Sequence, residues 1–320
     1  MSVFSALYHK FFVKRYDDDH IVTHFSYKSF PGMQASDLEF KTPQGNTIRG
    51  HIYSFPDHDR KDLVVFSHGL GAGHRAYMRE IQTLCRHGYE VLAYDNTGCW
   101  ESDGKDISGV SESINCLVSC LDYIASDKDL KGRGLHIIGH SWGGYAAGNI
   151  LSYRSSNIKS VTVISGFASI EIFTEAGYAG KLKMFRRNIM RFEKKANPAY
   201  AESCSADALR STPVKCLLLH STDDQMADIG TGLEYVRSRI SNPAVSYYVT
   251  EGKFHNPNYT TDAVTYMMQV FGEYQNLVSK RKLRSFEQKK AYFADKDFLR
   301  MTVQDPEVWD VIFKHMESAE

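Results

Sequence analysis

A serine sits between glycines at residues 139–144, GHSWGG. A hydroxyl is a weak nucleophile at its free pKa, so a reactive serine needs a base, and the base needs an orienting carboxylate. Gly-x-Ser-x-Gly suits that use, because small neighbours let a strand turn sharply into a helix and hold the hydroxyl out. The five letters alone are weak evidence: a chain of this length shows them by chance about one time in eight. The remaining groups lie downstream. STDDQMAD offers Asp223 and Asp224, and EGKFHNP offers His255. The order serine, aspartate, histidine is one of three known chain orders for such a constellation. The residue after the nucleophile is Trp142, whose main-chain N–H then faces the oxyanion of the tetrahedral intermediate. His140, His68 and His220 read as structural, His140 because strand alternation aims it away from Ser141. His74 reads as lying near the cleft mouth, where it could touch substrate.

These residues need a scaffold that brings strand ends together. DLEFK, TPQGN and TIRGHIY read as a β-hairpin around Gly45-Asn46. LVVFSHG (63–69) and EVLAYD (90–95) are continuous apolar runs, as expected of strands buried on both faces. The spacing of Ile107, Val110, Ile114, Leu117, Leu121 and Ile124 predicts a helix over 107–126. Strands are expected again at 134–141, 159–166, 214–221 and 244–252, with helices at 75–87, 229–240 and 258–279 between them. Alternation over some 240 residues predicts a mainly parallel sheet with helices on both faces. Ligands bind at the carboxyl ends of such strands. Ser141, the two aspartates and His255 all fall there.

The stretches SHGLGAGHRAY (67–77), HGYEVLAYDNTGCWESDG (87–104), GHSWGG, PVKCLLLHSTDDQM (213–226) and GKFHNP (252–257) resemble the α/β-hydrolase superfamily, within it the serine aminopeptidase S33 and monoglyceride lipase-like group. The resemblance covers roughly residues 60–260. It implies an α/β-hydrolase fold with a small helical cap inserted after the sixth strand. It implies Asp224 rather than Asp223 as the acid, two residues before the apolar Met226, and leaves Asp223 to cap the loop. It places the second oxyanion N–H at Leu70. The family usually shows glycine at the positions of Trp100 and Ser221. Trp100 is therefore expected to narrow the pocket, with His74, Trp142 and Phe167 as further lining.

The expected organisation is an N-terminal extension (1–37), a core (38–166 and 213–280), a cap (167–212) and a C-terminal extension (281–320). Residues 181–195, KLKMFRRNIMRFEKK, carry seven basic side chains and one acid on an amphipathic helix. The plain reading leaves the charged face in water. The sharper one has it touch an anionic membrane surface or steer an anionic substrate. Phe4, Leu7, Phe11 and Arg15 fall at helical spacing and predict a packing helix. Asp305-Pro306 is a good helix start.

The chain has 320 residues, with 38 Lys and Arg against 38 Asp and Glu. That balance gives no electrostatic footprint for nucleic acid. Six scattered cysteines without metal-ligand spacing fit a reducing compartment, with Cys116 and Cys120 as buried thiols. No signal peptide or membrane span is read, so a cytoplasmic location is expected. No metal or organic cofactor is expected. The leading expectation is a serine hydrolase of the carboxylesterase or lipase type acting on a small-molecule ester or acyl substrate, as monomer or homodimer. The alternatives are an aminopeptidase or amidase, with Glu171 and Glu175 to hold an ammonium, then an acyltransferase or thioesterase. A non-catalytic scaffold is the rival from another class.

Overall fold

The computed structural model describes residue 8, residues 12–17, residue 22, residues 25–71 and residues 73–319. Phe4, Leu7 and Phe11 of the expected N-terminal helix lie outside these residues. The eight strands are β1 (Gln34–Lys41), β2 (Thr47–Ser54), β3 (Leu63–Ser67), β4 (Glu90–Tyr94), β5 (Leu135–His140), β6 (Ile158–Ile164), β7 (Lys215–Ser221) and β8 (Val245–Thr250). They form one sheet in the order β1-β2-β4-β3-β5-β6-β7-β8. β1 and β2 pair antiparallel, as do β2 and β4, and every other pair is parallel.

Strand side chains alternate between the two faces. Leu63, Val65, Ile137 and Val161 join a core under helices α2 (Glu112–Ser126) and α3 (Trp142–Asn149). Val64, Phe66, Ile138 and Ile164 join the opposite core, under α1 (Met78–Arg86). Both faces are thus covered, which is why every residue of β3 and β5 is buried.

The expected helix over 107–126 is shorter at its start. Ser108 and Gly109 have φ of 55° and 109°, outside helical space. The next two N–H groups, of Val110 and Ser111, donate to Glu193, 2.8 and 3.0 Å away. A carboxylate some 80 residues distant thus replaces the first helical turn. Residues 181–195 divide similarly. Tyr178–Phe185 form a 3-10 helix, and the α-helix α4 begins only at Arg186 and runs to Ala196. The later helices include α5 (Leu233–Arg237), α6 (Thr261–Ser279) and α7 (Pro306–Glu317). Asp305 caps α7, accepting the N–H groups of Glu307 and Val308. Trp309, Ile312 and Met316 pack α7 onto the same core as α1, so this helix lies on the body of the chain.

Candidate active site

Ser141 follows β5 directly and precedes α3. Its φ is 56° and ψ −114°, a strained combination for a residue with a side chain. Close packing explains the flanking glycines. A Cβ at Gly139 would stand 2.1 Å from the Gly143 carbonyl oxygen, and one at Gly143 would stand 2.0 Å from that of Ser67. The turn therefore closes only if both are glycine.

His255 and Asp224 arrive from the loops after β8 and β7. The His255 Nδ1–H donates to Asp224 Oδ2 at 2.7 Å. That assignment follows because an ionised carboxylate only accepts, so Nε2 is left with its lone pair. Asp224 Oδ1 accepts the N–H groups of Met226 and Ala227 at 2.8 and 3.0 Å. Oδ2 also lies 3.1 Å from His220 Nε2, whose N–H it shares with the Ala227 carbonyl at 2.7 Å. Burial pushes the Asp224 carboxyl up. The hydrogen bonds and charge of His220 and His255 outweigh that and hold it well below the usual carboxylate range. Asp223 takes another part: it accepts the Ser221 hydroxyl at 2.5 Å and the Phe254 N–H at 3.2 Å, tying the two loops together.

His140 differs from its expected orientation. It lines the cavity beside Ser141. Its Nε2–H donates to the His255 carbonyl at 2.8 Å, and its Nδ1 accepts from the Tyr77 hydroxyl at 2.9 Å. Tyr77 in turn accepts the Gly69 N–H at 3.0 Å. The chain Gly69, Tyr77, His140, His255 joins the loop after β3 to the loop after β8. Burial, then the neighbouring His255, push the His140 ring down to about 3, so it stays neutral in this bridge. His68 braces the same region, with Nε2 accepting the Asn96 N–H at 2.9 Å and Nδ1–H donating to the Gly69 carbonyl at 2.8 Å.

Ser141, Trp142, Leu70, His255 and Phe167 line one cavity of about 260 Å³, together with Phe12, Tyr16, Val110, Phe173 and Met226. Among the described residues the Ser141 hydroxyl makes no hydrogen bond. Contacts of this kind often tighten only when substrate closes the site. Among the described residues, too, neither the Leu70 nor the Trp142 main-chain N–H donates to another protein group. The Trp142 indole donates to the Val110 carbonyl at 2.5 Å, which holds the ring as a wall.

Two expected lining residues stand elsewhere. His74 is wholly buried, its Nδ1–H donating to Asp95 at 2.8 Å and its Nε2 facing the Tyr53 hydroxyl at 2.8 Å. Satisfied on both nitrogens, it has no reason to face a cleft. Trp100 packs on Gly73, where an added Cβ would stand 2.7 Å from its Cγ, and it does not reach the cavity. Conversely, Phe12, Tyr16, Tyr77, Val110 and Phe173 were not singled out from the sequence. Isolated aromatic and apolar residues on separate segments carry no local signal that they converge.

Among the described residues no helix is long and apolar enough to cross a membrane. All six cysteines are free thiols, and Cys116 and Cys120 are buried.

Residues 64–264 match the model of an alpha/beta hydrolase family, well over half of the chain. This protein belongs to the alpha/beta hydrolase family. A 2-hydroxy-6-oxononadienedioate/2-hydroxy-6-oxononatrienedioate hydrolase of Klebsiella pneumoniae is 32% identical over 136 residues, 41% of this chain and 44% of that protein. A proline iminopeptidase of Clostridioides difficile is 29% identical over 115 residues, 36% of this chain and 38% of that protein. The matched part thus spans less than half the length of these curated relatives. An esterase of Pyrococcus furiosus superposes with a TM-score of 0.59 at 20% identity, over 85% of this chain and 98% of that one. At that identity the likeness is one of fold.

Proposed function

We propose that this protein is a serine hydrolase that cleaves a carboxylic ester with a small or single-chain acyl group. The observation carrying this reading is the Asp224–His255 contact of 2.7 Å, which leaves His255 Nε2 as a base in the cavity that Ser141 also lines. His255 Nε2 takes the Ser141 proton as the oxygen bonds to the acyl carbon. The N–H groups of Leu70 and Trp142 stabilise the oxyanion, each worth about 3–4 kcal/mol of barrier. The intermediate collapses with cleavage of the ester C–O bond, and the alcohol leaves with the proton from His255. Water, activated by His255, then attacks the acyl-enzyme and releases the acid. Residues 167–212 serve as the cap in this reading, and the basic face of 181–195 stays in water or touches an anionic surface.

The choice of ester rests on the cavity wall. Among the described residues it carries no Asp, Glu, Lys or Arg. An aminopeptidase needs an anion for the substrate ammonium. Glu175 is engaged by Arg186 and Lys183 at 2.5 and 2.6 Å, and Glu171 lies 3.5 Å from Arg186. A dicarboxylate substrate would need cations there. A neutral wall favours a neutral acyl group. The test is twofold: a fluorophosphonate probe, which should label Ser141 in the folded protein, and a panel of p-nitrophenyl esters beside aminoacyl-anilides. Faster turnover of the anilides would replace the ester reading with the aminopeptidase one. A folded protein that takes no label would remove both.

A further inference from the structure

Beneath the main cavity lies a second, very small one of about 10 Å³, walled by Ile170, Leu182 and Ile189 among others. It is apolar and at the lower limit for holding one water, so it is dry space. Three residues belong to both walls: Phe12, Val110 and Phe173. The Phe12 and Phe173 rings meet edge to face, centroids 6.4 Å apart at 88°. Phe173 is stacked on Phe167 at 4.1 Å. The two rings thus stand as a partition between the reacting site and an apolar slot under the cap.

The partition is held from both sides. Phe12 sits on an N-terminal segment stitched to the loop after β4. The Arg15 guanidinium donates to the carbonyls of Trp100, Ser102 and Gly104 at 2.6, 3.0 and 2.6 Å. The Tyr16 N–H donates to the Gly98 carbonyl at 2.9 Å. On the far side of the slot the Tyr8 hydroxyl donates to the buried Glu193 of α4 at 2.6 Å.

We propose that Phe12 and Phe173 set the acyl chain length of the substrate, and that the N-terminal segment is thereby a specificity element of the site. This rests on the ester-hydrolase reading. The main cavity, at about 260 Å³, is shared between the acyl and alcohol parts of the substrate, and the two rings close it off from the slot. With the partition in place the wild-type protein prefers the shorter acyl chains. Removing either ring joins the cavity to the slot between Ile170, Leu182 and Ile189.

The experiment measures kcat/KM on p-nitrophenyl esters from acetate to palmitate for the wild type, Phe12→Ala, Phe173→Ala and Phe173→Trp. The alanine variants shift the optimum up by about two to four carbons, gaining about fourfold per methylene that finds apolar room. Phe173→Trp shortens the optimum. Phe12→Leu covers the case in which Phe12→Ala fails to fold. An unchanged chain-length profile in folded variants overturns the proposal, as does an equal loss on every ester. Absence of wild-type turnover and of Ser141 labelling is a different failure: it sinks the hydrolase reading, and the chain-length assignment with it.

Discussion

Two aspartate–histidine pairs in this molecule share a geometry and differ in surroundings. His255 Nδ1 lies 2.7 Å from Asp224, and His74 Nδ1 lies 2.8 Å from Asp95. Both aspartates are buried. In each, burial raises the carboxyl and the partner histidines outweigh it. The difference is at the other ring nitrogen. His74 Nε2 is closed off by Tyr53 at 2.8 Å and His51 at 3.3 Å, and its side chain is 0% exposed. The His255 side chain is 19% exposed and lines the cavity with Ser141. An aspartate can orient an imidazole in either place. Only an imidazole with an open nitrogen beside a nucleophile can move a proton, so the first pair is suited to catalysis and the second to holding β2 and β4 to the loop after β3.

Substitutions should separate the two pairs. Ser141→Ala should lower turnover by about 10⁴-fold or more and abolish fluorophosphonate labelling, with the melting temperature little changed. Asp224→Asn keeps an acceptor for the Met226 and Ala227 N–H groups but favours the wrong His255 tautomer. Its kcat should fall by about 10³ to 10⁴, again without large loss of stability. Asp95→Ala should do the reverse. Chemical denaturation should show about 3–5 kcal/mol less stability, because a buried partner is left unpaired, while turnover per folded molecule stays within about tenfold. If folded Asp95→Ala loses turnover as Asp224→Asn does, the contrast between the pairs is wrong.

A smaller effect probes burial itself. His315 on α7 donates to the Val161 carbonyl at 3.2 Å, and burial pushes the ring down to about 4 from 6.5. Between those values the unfolded chain binds the proton and the folded chain does not. Its contribution to stability is therefore intact above about 6.5 and declines as pH falls towards 4, by about 1 kcal/mol per pH unit. Denaturation of His315→Gln against wild type at pH 7, 6 and 5 should show the gap narrowing or reversing as pH falls. A constant gap would mean that the ring titrates normally.

The strands were legible because a buried strand announces itself locally. LVVFS and LHIIGH needed no knowledge of their neighbours. The helix start at 107–111 was misread because Glu193, on another element, takes the N–H groups that a first turn leaves free. His74 was misread for the same kind of reason. Its position in the chain suggested a loop near the cleft, but Asp95 and Tyr53 enclose it. Phe12 and Phe173 carried no signal at all, since a wall made from separate segments has no period in any one of them.

The amino-acid order by itself set which reactive groups stand at which strand ends, because backbone pattern and turn chemistry are decided over a few neighbouring residues. Only the folded chain decided which histidine keeps an open nitrogen and which rings close the cavity. Desolvation and hydrogen-bond partnership are sums over groups brought together from the whole polymer, and no short stretch contains them.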